Sequence, residues 1–266
     1  MLQRILAAVV GLLIIVPAIV FGGMTGAHIV AGLALLIAID EYSRMALGER
    51  HVFGKLLLLL AGGPVYLSNV LWPEALPWVL SLATLVVFIA SMLHISETDK
   101  GMEASMRLGA GLVYVPLLFS YVLLVRGLPQ GLYWLFLTLA VTWAGDTGAY
   151  FAGRAFGRTK LFERVSPKKT WEGAAGGFLF SIAFACAFKA LFLPSLTWGQ
   201  AVLLGALLDV VGVLGDLVES MFKRAFGVKD SGWIMPGHGG ILDRIDSLLF
   251  TAPLTWVLVT HVFKLG

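Results

Sequence analysis

Five acidic side chains in the second half of the chain sit where chemistry could use them. Asp209, Asp216, Ser220 and Lys223 are separated by seven, four and three residues, a spacing that lines them up on one stripe of a helix. Glu219 lies at the flank of Asp216. Asp243 and Asp246, three apart, share a face where the last apolar segment begins. A carboxylate inside a membrane span costs several kcal/mol unless it is paired, hydrated or bound to a cation. If the two helices are neighbours, four of these carboxylates converge near one membrane edge. Carboxylates completed by water and phosphate oxygens are the ligands that Mg²⁺ prefers. Salt bridges to Lys223, Arg224 or Arg244 are the plainer use of any single acid.

The stretch between the two acidic faces carries the matching chemistry. Lys223, Arg224, Lys229 and Arg244 can hold phosphate oxygens. Gly237, Gly239 and Gly240 let the backbone come close to a ligand, with their amides able to face phosphate as a nest. His238 stands among them as a turn residue bonding the backbone, a phosphate contact or a proton-handling group. A second basic patch lies upstream. Asp146 shares a helix face with Thr142 and Tyr150, and Arg154, Arg158, Lys160, Arg164, Lys168 and Lys169 follow. Residues 166–170 read as a loop leading into a helix, with Thr170 as its N-cap. Lys168 and Lys169 stand at the mouth of that helix, where an anion would also meet the helix N-terminus. Basic loops of this kind also touch anionic lipid headgroups.

The elements that position these residues are membrane helices. Hydrophobic residues make up 59% of the 266 and charged residues 13%, against about 25% charged in soluble domains, and the mean hydropathy is +0.90. Continuous apolar runs predict an all-α, polytopic helix bundle of about nine spans, near 4–22, 26–46, 53–72, 76–95, 105–126, 131–152, 172–193, 200–222 and 243–263. The first run is read as a retained helix and not a cleaved signal. Gly62-Gly63-Pro64 predicts a kink or break in the third span. Asp40 and Arg44, four apart, read as an ordinary interfacial pair. The single cysteine, Cys186, excludes a disulfide framework within the chain.

Counting lysine and arginine on alternate sides puts most of the cations on one side. The positive-inside rule then sets the N-terminus in the cytoplasm and the C-terminus outside. Residues 1–130 become supporting spans, and residues 131–266 a catalytic region with cytoplasmic loops at 153–172 and 223–242. The protein is expected in the inner (cytoplasmic) cell membrane with its site facing the cytoplasm. Its partners are membrane lipids and a phosphate-bearing soluble substrate, with no role for nucleic acid.

The run Ser220, Lys223-Arg224, Lys229-Asp230, Gly232, Pro236, His238-Gly239-Gly240, Asp243-Arg244 and Asp246 resembles the signature of the phosphatidate cytidylyltransferase family, also called CDP-diacylglycerol synthase. Met235 departs mildly from the expected Leu, Ile or Phe. Trp143 to Gly177, with Asp146, Gly157-Arg158, Ser166-Pro167-Lys168-Lys169 and Glu172-Gly173, is similar to the same family. The resemblance implies that the phosphate of phosphatidic acid attacks the α-phosphorus of CTP, giving CDP-diacylglycerol and pyrophosphate. It implies Mg²⁺ on Asp216 and Asp243, with Asp246 as a ligand or close beside it. It also implies a second, monovalent K⁺ ion and a homodimer. Lys168, Lys169, Lys223, Arg224 and Lys229 are assigned to phosphates and Arg244 to triphosphate or to the carboxylates. Asp146, Ser220, Asp230, Gly239 and Gly240 are placed at the substrate, and His238 in the catalytic set.

Three other readings compete. A CTP-dependent lipid kinase would transfer the γ-phosphoryl group and release CDP. Other lipid phosphotransferases would show acidic signatures that the chain lacks, among them an adjacent Asp-Asp pair. A cation-coupled transporter would place its carboxylates at mid-membrane, as Asp209 alone could be.

Overall fold

The structure is a computed structural model that describes residues 2–234 and 239–266, without the side chains of residues 2–10, 12 and 49. Every predicted span is helical. The helices are α1 (Leu2–Phe21), α2 (Gly23–Leu47), α3 (His51–Leu71), α4 (Leu76–His94), α5 (Thr98–Leu112), α6 (Leu118–Gly127), α7 (Gly131–Phe156), α8 (Trp171–Phe192), α9 (Trp198–Ala225) and α10 (Leu242–Val257). Among the described residues, seven helical stretches are long and apolar enough to cross a membrane. Helix α7 is not among them. Asp146, Arg154 and a run of small and hydroxyl residues dilute its apolar character.

The chain divides into two compact units. One holds residues 1–124 and 226–245, the other residues 125–225 and 246–266. In the first unit, α5 and α6 form one helical stretch joined by a π-helical turn, Val113–Leu117, that contains Pro116. A proline has no N–H to donate, and the wider turn accommodates that loss without ending the helix. Of the kink or break expected at Gly62-Gly63-Pro64, the break does not occur: α3 runs as helix from His51 to Leu71, with Pro64 inside it. Gly62 instead makes room for a neighbour: a Cβ there would fall 2.7 Å from the ring of Pro116. The motif is a packing contact between two helices and does not interrupt either.

In the second unit α7 and α8 pack closely through small residues. A Cβ on Gly148 would lie 2.8 Å from the carbonyl oxygen of Gly176. In a membrane, where lipid tails are as apolar as leucine, such close backbone approach is what holds helices together. Helix α9 buries Ala201, Leu204, Gly205, Leu208 and Gly212 along one stripe, with Asp209 among them.

The segment between α7 and α8, expected as a loop, is a small antiparallel hairpin. Its strands are β1 (Lys160–Phe162) and β2 (Ser166–Thr170), with Lys160 opposite Thr170 and Phe162 opposite Ser166. The sequence hid it because the strands are short and lack apolar alternation. Backbone pairing and the Lys160 ammonium on the Pro167 carbonyl (2.7 Å) hold it instead.

Candidate active site

Helix α8 starts where the sequence puts it. Thr170 is the N-cap, its hydroxyl accepting from the Gly173 amide at 3.1 Å. Glu172, in the first turn, accepts from the amides of Arg158 and Thr159 at 3.1–3.2 Å. The hairpin is therefore fastened to the same helix end at both of its roots. The two lysines differ in exposure. Lys168 is exposed, while Lys169 reaches inward and sets its ammonium 2.8 Å from Asp216 Oδ2.

Asp216 sits on α9, and its other oxygen accepts from the Ser220 hydroxyl at 3.2 Å. Asp246, on α10, lies against α9 beside Asp216: a Cβ on Gly215 would fall 3.0 Å from the Asp246 carbonyl oxygen. Lys223 pairs with Glu219, one turn back and fully buried. Asp209, deeper along α9 and 6% exposed, takes a 2.8 Å hydrogen bond from Ser181. A cavity of about 370 Å³ opens among these elements, lined by Asp146, Tyr150, Lys168, Lys169, Asp209 and Ser247 among others. Its size suits a small polar ligand.

The structure thus brings together Asp146, Lys168, Lys169, Asp216, Ser220, Lys223 and Asp246. No group of three His, Cys, Asp or Glu side chains converges as a ready metal cage among the described residues. Mg²⁺ rarely uses such a cage. It is commonly held by one or two carboxylates together with water and substrate phosphates. The pair Asp216 and Asp246 fits that habit, and the Lys169 ammonium on Asp216 stands in for the positive charge a cation would bring.

Apart from Arg224, in the last turn of α9, the remaining predicted residues belong to the segment after α9, within the first unit. Asp243 Oδ2 accepts from the Ser231 amide (2.9 Å), the Ser231 hydroxyl (2.8 Å) and the Gly240 amide (2.8 Å). The Gly240 amide, expected to face phosphate, is thus directed at Asp243. Gly239 adopts φ +80°, a conformation open mainly to glycine. Arg224, Lys229, Asp230 and Arg244 are exposed. His238 lies outside the described residues.

One residue here escaped the sequence reading. Glu41 on α2 is 4% exposed and accepts from the amides of Ile241 (3.0 Å) and Leu242 (2.8 Å) and from the Ser231 hydroxyl (3.2 Å). A signal was available. Its nearest cation on the helix, Arg44, is already matched with Asp40, and Ile37 and Met45 lie four residues to either side. A carboxylate so placed must find donors elsewhere.

The fold and site are those of a multi-pass helical membrane protein with acids and lysines gathered at a cavity in its second unit. The chain belongs to the cytidylyltransferase family, whose family model matches residues 2–262. It is 36% identical over 269 residues to the phosphatidate cytidylyltransferase of Staphylococcus haemolyticus, covering 97% of this chain and 99% of that one. The enzyme of the same name from Staphylococcus aureus strain COL is 36% identical over 265 residues, 96% and 98% of the two chains. That of Bacillus subtilis is 44% identical over 148 residues, 55% of each.

Proposed function

We propose that this protein is a CTP:phosphatidate cytidylyltransferase of phospholipid biosynthesis. A lipid phosphate oxygen forms a bond to the α-phosphorus of CTP, the bond between the α-phosphorus and its bridging oxygen breaks, and pyrophosphate leaves. Family membership over nearly the whole chain supports the reaction class. The observation that carries the site is the Lys169–Asp216 pair at the edge of a cavity that Asp146 and Lys168 also line.

Asp216 and Asp243 would hold Mg²⁺, as the resemblance implies, with Asp246 as a ligand or close beside it; the ion when bound neutralises and orients phosphate oxygens. Lys169 then exchanges a carboxylate partner for a phosphate one, and Lys168 adds a second cation on the solvent side. Ser220 and Lys223 hold the two ends of the acidic face in place through Asp216 and Glu219. The lipid phosphate is already largely ionised near neutral pH, so no side-chain base is needed. Catalysis rests on positioning and charge stabilisation. The basic segments lie on the cytoplasmic side of the inner membrane, with the N-terminus inside and the C-terminus outside, where soluble CTP meets membrane phosphatidate. K⁺ and a homodimer belong to the same proposal through the family resemblance.

The test is product analysis with α-labelled CTP, phosphatidate and Mg²⁺. Label in the lipid phase with release of pyrophosphate supports the reading. Label remaining in soluble CDP would make the protein a lipid kinase. Absence of nucleotide turnover would sink both.

A further inference from the structure

We infer that Glu41 is a positioning residue for the segment that carries the family signature, holding it from α2 at the far end of the sequence. This rests on the proposed function only for its effect on turnover; the structural half stands alone. Three residues at the end of α2 grip that segment. The ring of Tyr42 meets Phe226 edge-on with centroids 6.1 Å apart. The Arg44 guanidinium lies 5.3 Å over the Trp233 ring. Glu41, beside Tyr42 in the chain, takes the amides of Ile241 and Leu242 and the hydroxyl of Ser231.

The first amides of a helix have no partner within it. At the start of α10 a buried carboxylate from another helix supplies that partner, along with the negative charge a helix N-terminus favours. Ser231 links this anchor to the signature, because its hydroxyl also donates to Asp243 Oδ2. The backbone is shaped to admit it. A Cβ on Gly240 would fall 2.3 Å from Glu41 Oε2, and one on Gly232 2.4 Å from Oε1. These two glycines of the signature leave the room that the Glu41 carboxylate occupies.

Each Glu41 oxygen accepts a backbone N–H, so the amide nitrogen of a glutamine would confront at least one of them with a second donor. The experiment compares Glu41→Gln with the full-length wild type in detergent, by hydrogen exchange and by turnover of CTP with phosphatidate. Exchange at residues 240–242 is expected to rise about ten- to a hundredfold. The turnover number should fall by a similar factor with KM for CTP changed far less, and Glu41→Asp should recover part of it. Glu97→Gln, at an exposed pair with Lys100, is the control and should move neither. Unchanged exchange at 240–242, or faster exchange with wild-type turnover, would overturn the inference. If Glu41→Gln does not fold, Ser231→Ala removes the hydroxyl that bridges Glu41 and Asp243 and leaves the two amides on Glu41 in place. It should speed exchange at Gly240 and lower turnover, and unchanged values would equally overturn the idea. An inactive wild type would refute the proposed reaction, while the exchange result would still decide whether Glu41 holds the segment.

Discussion

The segment joining α7 to α8 and the segment joining α9 to α10 are both polar, basic and glycine-bearing, yet they are held by different means. The first is held by its own neighbourhood. Glu172 reaches amides 13 and 14 residues away, and Thr170 caps the helix it opens. The second is held from across the sequence, by a carboxylate 190 to 201 residues from the groups it binds. A locally held segment can form early and can lose one tie without losing its shape. A segment held from afar depends on the helix that carries its anchor. The same composition therefore does not imply the same fragility.

The comparison can be tested from the strongest effect downward. Asp216→Asn and Asp246→Asn should each reduce turnover by about a thousandfold or more, because each removes charge from the place where phosphate oxygens are to be neutralised. Initial rates with labelled CTP check this, and near-wild-type activity in either variant would unseat that residue as a Mg²⁺ site. Lys169→Ala should cost about ten- to a hundredfold, since the hairpin delivers this one side chain to Asp216. Lys168→Ala, on the exposed side of the strand, should act mainly on KM for CTP and by about tenfold or less. An equal loss in both would mean that the hairpin does not sort the two lysines.

Glu172→Gln tests the local tie directly. Exchange at the Arg158 and Thr159 amides should rise about tenfold, while turnover falls only a few-fold, well short of the loss expected for Glu41→Gln. If the two acids cost the same, the distinction between near and far anchoring fails. Thr170→Ala should destabilise the start of α8 by about 1 kcal/mol, seen as a lower Tm with activity retained. Smallest of all, Glu97→Gln should change neither Tm nor turnover. The hydrogen bond from Lys100 holds this carboxyl below its usual range, but an exposed pair adds little to folding.

The same contrast explains what could be read from the sequence. The nine helical runs were legible because membrane helices satisfy their own backbone and so reveal themselves by composition. The Thr170 cap and the Asp40–Arg44 pair (2.8 Å) were legible because both partners lie within one turn. The pairing of Lys169 with Asp216 was half visible: both residues were singled out, but nothing in the spacing joined them. No break follows from Gly62-Gly63-Pro64, because Gly62 serves there as a close-packing surface against Pro116. Glu41 was missed since its partners are backbone amides on a distant segment, which leave no trace in residue type. Gly240 has neighbours that the sequence did not announce. Its missing Cβ was read as room for a phosphate, and the structure fills that room with Glu41 and Ser231.

The distance between Glu41 and its partners also has a consequence for synthesis. A chain grows from its N-terminus at roughly 5–20 residues per second. With Ser231 190 residues downstream, Glu41 leaves the ribosome about 10–40 s before any group that can satisfy it. Through that interval α2 must be threaded into the bilayer with an unanswered carboxylate near its end. The insertion machinery, the headgroup region or a protonated side chain has to shelter it until α10 arrives. Ribosome-arrested chains ending before Ser231 should therefore leave the end of α2 open to water-soluble reagents at a cysteine placed beside Glu41, and chains extended past α10 should close it.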